Sequence, residues 1–326
     1  MTVDIFDTNP STFTKNALEI FRFQYEHNDT YREYCELLKV DASKVLALTQ
    51  IPFLPIRLYK NRNVTSGIFE PQAIFESSGT TGSQSSQHFV KDLSIYKNSF
   101  NHTFKKFYGN IEEYCILGLL PSYLERGNSS LVYMVDKLIK ESKHKSSGFF
   151  LHNHQQLAKI IQENESNQQQ TLLIGVSYAL LDFAEAFPTK LEHTIVIETG
   201  GMKGRKKEIS KKEMHDILKT SFELKEIHSE YGMTELLSQA YSRADGIFET
   251  PAWMKIMIRE EDNPLKTLEN EASVVSGGIN IIDLANLNSC SFIATEDMGK
   301  LYPDGSFEIL GRMENSDIRG CGLMIL

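Results

Sequence analysis

From Tyr114 onward, short apolar runs alternate with stretches of helical period, and this alternation constrains the fold more than any other feature of the chain. Tyr114–Leu120, Gly148–His152, Thr171–Val176 and His193–Glu198 look like buried strands. Between them Ser130–Glu141, His154–Glu163 and Tyr178–Phe187 read as helices. Ser210-Lys-Lys-Glu213 is a capping box that opens another helix, carrying Met214, Ile217, Leu218 and Phe222. Strands alternating with helices predict an α/β fold on a doubly wound, mostly parallel sheet.

The flanks read differently. Up to about Lys39 the chain is helical, with Leu18, Phe21, Tyr25, Tyr31, Tyr34 and Leu38 three to four apart or at multiples of that spacing. The prolines of Ile51-Pro-Phe-Leu-Pro-Ile56 force an extended backbone. Ala272–Leu284, Ser291–Tyr302 and Phe307–Leu310 alternate like strands, and Pro303-Asp304-Gly305 supplies a turn. A smaller antiparallel β unit near the C-terminus follows. The expected organisation is a main domain over 1–310 (helical 1–70, α/β core 71–250, β-rich 251–310) and a tail over 311–326.

With 326 residues, 41% of them hydrophobic, the chain can bury a substantial core. Its formal net charge of −9 argues against nucleic acid as a partner. Lys203 to Lys212 hold six Lys/Arg in ten positions, read as a solvated loop and helix start. Cys35, Cys115, Cys290 and Cys321 form no CxxC pair, and so few thiols point to a reducing compartment. Met1–Ser11 carries Asp4 and Asp7 and lacks a basic segment followed by an apolar one. A cytoplasmic protein without a membrane span is expected.

Ser77-Ser78-Gly79-Thr80-Thr81-Gly82-Ser83 concentrates backbone freedom and hydroxyl donors in one loop, a combination suited to a polyphosphate. It is not a Walker loop, because no Gly-Lys-Ser/Thr follows. Read alone, such a loop is better explained by flexible surface.

Three further stretches change that reading. Ser77–Gly82 resembles the phosphate loop of the acyl- and aryl-adenylate-forming superfamily, which includes acyl-CoA synthetases, luciferases and adenylation domains. Glu230-Tyr231-Gly232-Met233-Thr234-Glu235 resembles that superfamily's second signature, and Ala294-Thr295-Glu296-Asp297-Met298-Gly299 its ribose-binding stretch. Gly311-Arg312-Met313-Glu314 is similar to the segment joining the large domain to a C-terminal lid. The resemblance implies ATP as substrate and assigns roles residue by residue. Tyr231 stacks on adenine and Thr234 donates to the α-phosphate. Glu235 holds Mg²⁺, Asp297 accepts the ribose hydroxyls, and Arg312 holds ribose or phosphate. Gly200 and Gly201 border adenine and the acyl group, a position a tight strand-to-loop turn explains equally well.

Two departures matter. The lysine of the usual phosphate loop is absent, leaving pyrophosphate to hydroxyls, amides and His88. The chain also stops fourteen residues after Arg312, with no room for a lid of ~100 residues and its catalytic lysine. In both length and motif order it resembles the acyl-protein synthetases of the LuxE type, which activate fatty acid. In that branch a cysteine near the C-terminus accepts the acyl group as a thioester, and Cys321 matches it, with Arg319 close by to favour the thiolate. Gly118-Leu119-Leu120-Pro121-Ser122-Tyr123 ends a strand where α/β sheets bind ligands and is expected to line the acyl pocket. The onward acceptor is an acyl-accepting protein or a reductase. Two alternatives stay open: a ligase that uses free CoA or another small thiol, and a non-catalytic partner subunit with the same fold.

Overall fold

The computed structural model describes residues 3–77, 84–121, 127–200, 209–268 and 273–313. In chain order, α1 (Phe13–His27), α2 (Asp29–Leu37), β1 (Leu54–Pro55), β2 (Ala73–Glu76), β3 (Gln87–Val90) and α3 (Leu93–Tyr108) come first. Then β4 (Cys115–Leu119), α4 (Ser130–Ser142), β5 (Gly148–Phe149), α5 (His154–Ser166), β6 (Thr171–Gly175), α6 (Ser177–Ala186), β7 (Thr194–Glu198), α7 (Lys211–Phe222) and β8 (His228–Tyr231) alternate as expected. The last part is strand-rich: β9 (Ala240–Ser242), β10 (Ile247–Glu249), β11 (Met254–Arg259), β12 (Thr267–Leu268), β13 (Val275–Asp283), β14 (Phe292–Leu301) and β15 (Phe307–Arg312). The α/β class is as expected.

The chain forms two units. The second contains residues 104–231 and 240–248. Its strands β5, β4, β6, β7 and β8 are neighbours and parallel, with β9 antiparallel to β8. Every residue of β4 and of β6 is buried, which explains why these strands read as continuous apolar runs. Their order fixes what lies at their C-terminal ends. Glu198 of β7 pairs with Ser229 of β8, so Thr199-Gly200 and Glu230-Tyr231 leave adjacent strands side by side. Gly118 and Gly175 are packing glycines: a Cβ at Gly118 would stand 2.9 Å from the Phe149 ring, and one at Gly175 2.8 Å from Leu119. Gly118 is thus closely packed against Phe149. Ser122 and Tyr123 lie outside the described residues.

The other unit contains residues 3–103, 232–239 and 249–313. Its sheet runs β12-β11-β13-β14-β15, all antiparallel, with β1 parallel on β14 and β2–β3 as a separate hairpin. The helical N-terminus breaks once, at Asn28. That residue is extended, and its side chain caps α2 by accepting from the Tyr31 amide at 3.0 Å, an arrangement typically worth about 1 kcal/mol. The Asn28 amide also donates to the Ser289 carbonyl at 2.9 Å, and Gln24 of α1 donates to Asn286 O at 3.0 Å. The α1–α2 elbow thus holds residues 286–291, which in turn hold part of the candidate site.

Candidate functional site

In the first unit the expected phosphate loop grows out of the β2–β3 hairpin. Phe75 pairs with His88 and Glu76 with Gln87. Ser77 closes the base of the loop: its amide donates to Ser86 O at 3.1 Å and its hydroxyl accepts from the Ser86 amide at 2.9 Å. Ser78, Gly79, Thr80, Thr81 and Gly82 lie outside the described residues.

Thr234 and Glu235 form a turn that side chains remote in sequence fix at successive points. The Thr234 carbonyl lies 2.8 Å from His88 Nδ1, and the Glu235 carbonyl accepts from Asn286 Nδ2 at 2.8 Å. Asp283 accepts from the Leu237 amide at 2.9 Å and from the Ser238 hydroxyl at 2.6 Å. Burial raises the Asp283 carboxyl to about 6 against these stabilising bonds. Thr234 is half-buried and Glu235 fully buried. His88 is 1% exposed, and both of its ring nitrogens have protein partners. It therefore does not offer the loop a free donor in place of the missing lysine. Sequence reasoning did not find Asp283, Asn286 or Ser289, because nothing in their local pattern marks them.

Asp297 and Arg312 are cross-strand partners in the β14–β15 register. Arg312 Nε lies 3.8 Å from Asp297 Oδ1, and Arg312 Nη2 pairs with the Glu296 carboxylate. Gly299 explains the glycine of this stretch: a Cβ there would stand 2.6 Å from Glu308 O, beside a register shift in the ladder. A cavity of about 370 Å³ adjoins the pair at Glu296 and Met313, with Phe53, Ile56 and Leu265 as apolar lining and Arg57 and Arg259 as cations.

In the second unit, Gly200 follows β7 with φ +38°, and its amide donates to Glu198 Oε2 at 3.1 Å. Burial works to raise the Glu198 carboxyl, but Lys211 at 2.8 Å and His215 at 3.7 Å hold it well below the usual carboxylate range. Lys211 thus has a structural partner, unlike the solvated run expected; residues 203–208 of that run and Gly201 lie outside the described residues. Glu230 behaves oppositely. Burial pushes its carboxyl up to about 7, the Thr199 hydroxyl donates to it at 2.6 Å, and the charge of Glu198 adds to the rise. Tyr231 is buried, its ring edge-packed on Phe248 at 5.9 Å.

Cys35, Cys115 and Cys290 are all buried, and burial raises each thiol, Cys35 to about 12. None of the three provides a thiolate near neutral pH. Cys321 lies outside the described residues.

The family described as "Acyl-protein synthetase, LuxE" matches residues 5–326. The chain belongs to that family. The long-chain-fatty-acid–luciferin-component ligase of Photorhabdus luminescens is 36% identical over 81 residues, covering 24% of this chain and 69% of the relative. Among solved structures, 2-hydroxyisobutyryl-CoA ligase in complex with 2-HIB-AMP and CoA superposes with a TM-score of 0.69 at 11% identity, over 95% of this chain and 69% of that one. A double mutant of o-succinylbenzoate CoA synthetase from Bacillus subtilis gives a TM-score of 0.51 at 16% identity, over 79% and 51%. The LuxE-family fold is that of these ligases. Among the described residues no helix is long and apolar enough to cross a membrane, and no group of three or more His, Cys, Asp or Glu could hold a metal ion.

Proposed function

We propose that this chain joins a carboxylic acid, in the fatty-acid class, to ATP and then carries the acyl group on Cys321. The observation that carries the reading is the family match over residues 5–326. The fatty-acid ligase named for the Photorhabdus luminescens relative supports the substrate class. In the first half-reaction a substrate carboxylate oxygen attacks the α-phosphorus and pyrophosphate leaves, giving acyl-AMP. In the second, the Cys321 thiolate attacks the acyl carbon, AMP leaves and the thiol proton passes to solvent. From Cys321 the group moves to an acyl-accepting protein or reductase.

The roles of the site residues follow from their chemistry. The hydroxyls and amides of Ser77–Gly82 cradle phosphate, and Thr234 donates to the α-phosphate. Asp297 accepts from ribose while Arg312, beside it at 3.8 Å, adds its positive charge. Gly200, Gly201 and Tyr231 border adenine. A magnesium ion, when bound, neutralises charge on the triphosphate. The carboxylate of Glu235 is a hard oxygen ligand of the kind taken by magnesium, which is held by one or two carboxylates together with substrate phosphates.

Transfer to free CoA is the second reading, favoured by the CoA present with 2-hydroxyisobutyryl-CoA ligase. Incubation with radiolabelled fatty acid and Mg-ATP separates the two. The proposal expects a hydroxylamine-labile label on the protein that Cys321→Ser abolishes while pyrophosphate exchange survives. Acyl-CoA formation with no protein label in the wild type would establish the ligase reading.

A further inference from the structure

Three segments far apart in sequence meet at the imidazole of His88. The residue sits on β3, directly across from Phe75, two positions before Ser77 and the loop. Its Nδ1 lies 2.8 Å from the Thr234 carbonyl, its Nε2 3.0 Å from Ser289 Oγ, and the Tyr59 ring packs against it at 5.9 Å. A carbonyl only accepts, so Nδ1 carries the proton and donates it; Nε2 of the neutral ring then accepts from the Ser289 hydroxyl. Ser289 is itself fixed, its carbonyl accepting from Ser66 Oγ at 2.6 Å and from Asn28 Nδ2 at 2.9 Å.

The turn has other anchors. Asn286 holds the Glu235 carbonyl, Asp283 holds Leu237 and Ser238, and Trp253 Nε1 donates to Ser238 Oγ at 2.9 Å. These keep the turn folded and tie it to β13, to the segment after β13, to the residue before β11 and, through Ser99 Oγ 3.1 Å from Ser238 Oγ, to α3. The His88 bond is different in kind, because it ties the turn to the hairpin that carries the loop.

We propose that His88 is a positioning residue for the adenylation step: its Nδ1–H bond to the Thr234 carbonyl sets the Thr234–Glu235 turn in register with the β2–β3 hairpin. The inference rests on the adenylation reading above. Its chemistry is simple. On that reading Thr234 and Glu235 act on the triphosphate, and an error of about 1 Å in where they stand can cost on the order of a hundredfold in rate. A buried ring locked at both nitrogens supplies that register without moving during the reaction.

The two nitrogens can be tested separately. An asparagine amide reaches where Nδ1 stands, and a glutamine amide reaches where Nε2 stands. His88→Asn therefore retains the Thr234 bond, His88→Gln retains the Ser289 bond, and Ser289→Ala leaves His88 bound to Thr234. In pyrophosphate exchange, His88→Asn and Ser289→Ala are expected within about threefold of wild type. His88→Gln should lose ten- to a hundredfold in kcat with ATP KM shifted by less than about threefold. Amide hydrogen exchange across residues 232–239 provides a readout independent of turnover: protection there should fall about tenfold in His88→Gln and stay near wild type in His88→Asn. Equal protection in the Gln and Asn variants, or wild-type kcat in His88→Gln, would overturn the inference. A wild-type protein without acid-dependent exchange would sink the adenylation reading instead, while hydrogen exchange still decides whether His88 sets the turn.

Discussion

Arg312 stands directly across from Asp297 in the β14–β15 ladder, its Nε 3.8 Å from Oδ1 and its Nη2 paired with the neighbouring Glu296. Two sequence motifs thus become one charged pair on adjacent strands. Asp297→Asn should leave folding intact, because Arg312 keeps Glu296. It should raise the KM for ATP by ten- to a hundredfold, as expected for removing one or two charged hydrogen bonds at ~1.5–3 kcal/mol each. Steady-state kinetics with ATP varied at saturating acid makes the check. An unchanged KM removes Asp297 from nucleotide binding.

Glu235→Gln is expected to fold and to lose acid activation. The residue is fully buried, and its carbonyl is held by Asn286 whatever the side chain. Charge stabilisation of this kind is worth about 2.7–4 kcal/mol, a rate loss of roughly a hundred- to a thousandfold. Exchange at the wild-type rate by a folded Gln variant would show that the carboxylate plays no part.

Much of the second unit could be read in the sequence, because buried parallel strands such as Cys115–Leu119 and Thr171–Gly175 are near-continuous apolar runs. The antiparallel strands from β13 onward were also visible in their alternation. Helix α3 was missed although Tyr96, Phe100, Phe104 and Phe107 recur at helical spacing, because Ser, Asn, Lys and His fill the positions between. The four-residue strands of the β2–β3 hairpin are too short for periodicity to register. The site divides in the same way. Thr234, Glu235, Asp297 and Arg312 lie within local motifs that single them out in the sequence. His88 is named there only as a donor to pyrophosphate; its bonds to Thr234 and Ser289 span 146 and 201 residues, and those of Asp283 to Leu237 and Asn286 to Glu235 span 46 and 51, separations that local pattern does not encode.

Glu230 gives a pH signature. Its carboxyl rises from 4.5 to about 7 on folding, so its contribution to stability is fully present below pH ~4.5 and is lost as pH rises through about 7. Glu198 works in the opposite sense, its lowered carboxyl contributing above pH ~4.5 and losing that contribution as pH falls. Glu230→Gln removes the first effect. The variant should be more stable than wild type at pH 8, by an amount on the order of 3 kcal/mol, with most of the advantage gone near pH 5. Equal melting curves for the two proteins across this range would contradict the assignment.

Acid-dependent exchange of radiolabelled pyrophosphate into ATP by the purified chain tests the central claim most directly, since it needs the first half-reaction and no acceptor. Fatty acids of graded chain length should each be tried with Mg-ATP. The account predicts exchange that requires both acid and magnesium, that Glu235→Gln reduces at least a hundredfold, and that Cys321→Ser leaves within about twofold of wild type. No exchange with any acid by a folded, ATP-binding protein would contradict it and favour a non-catalytic subunit.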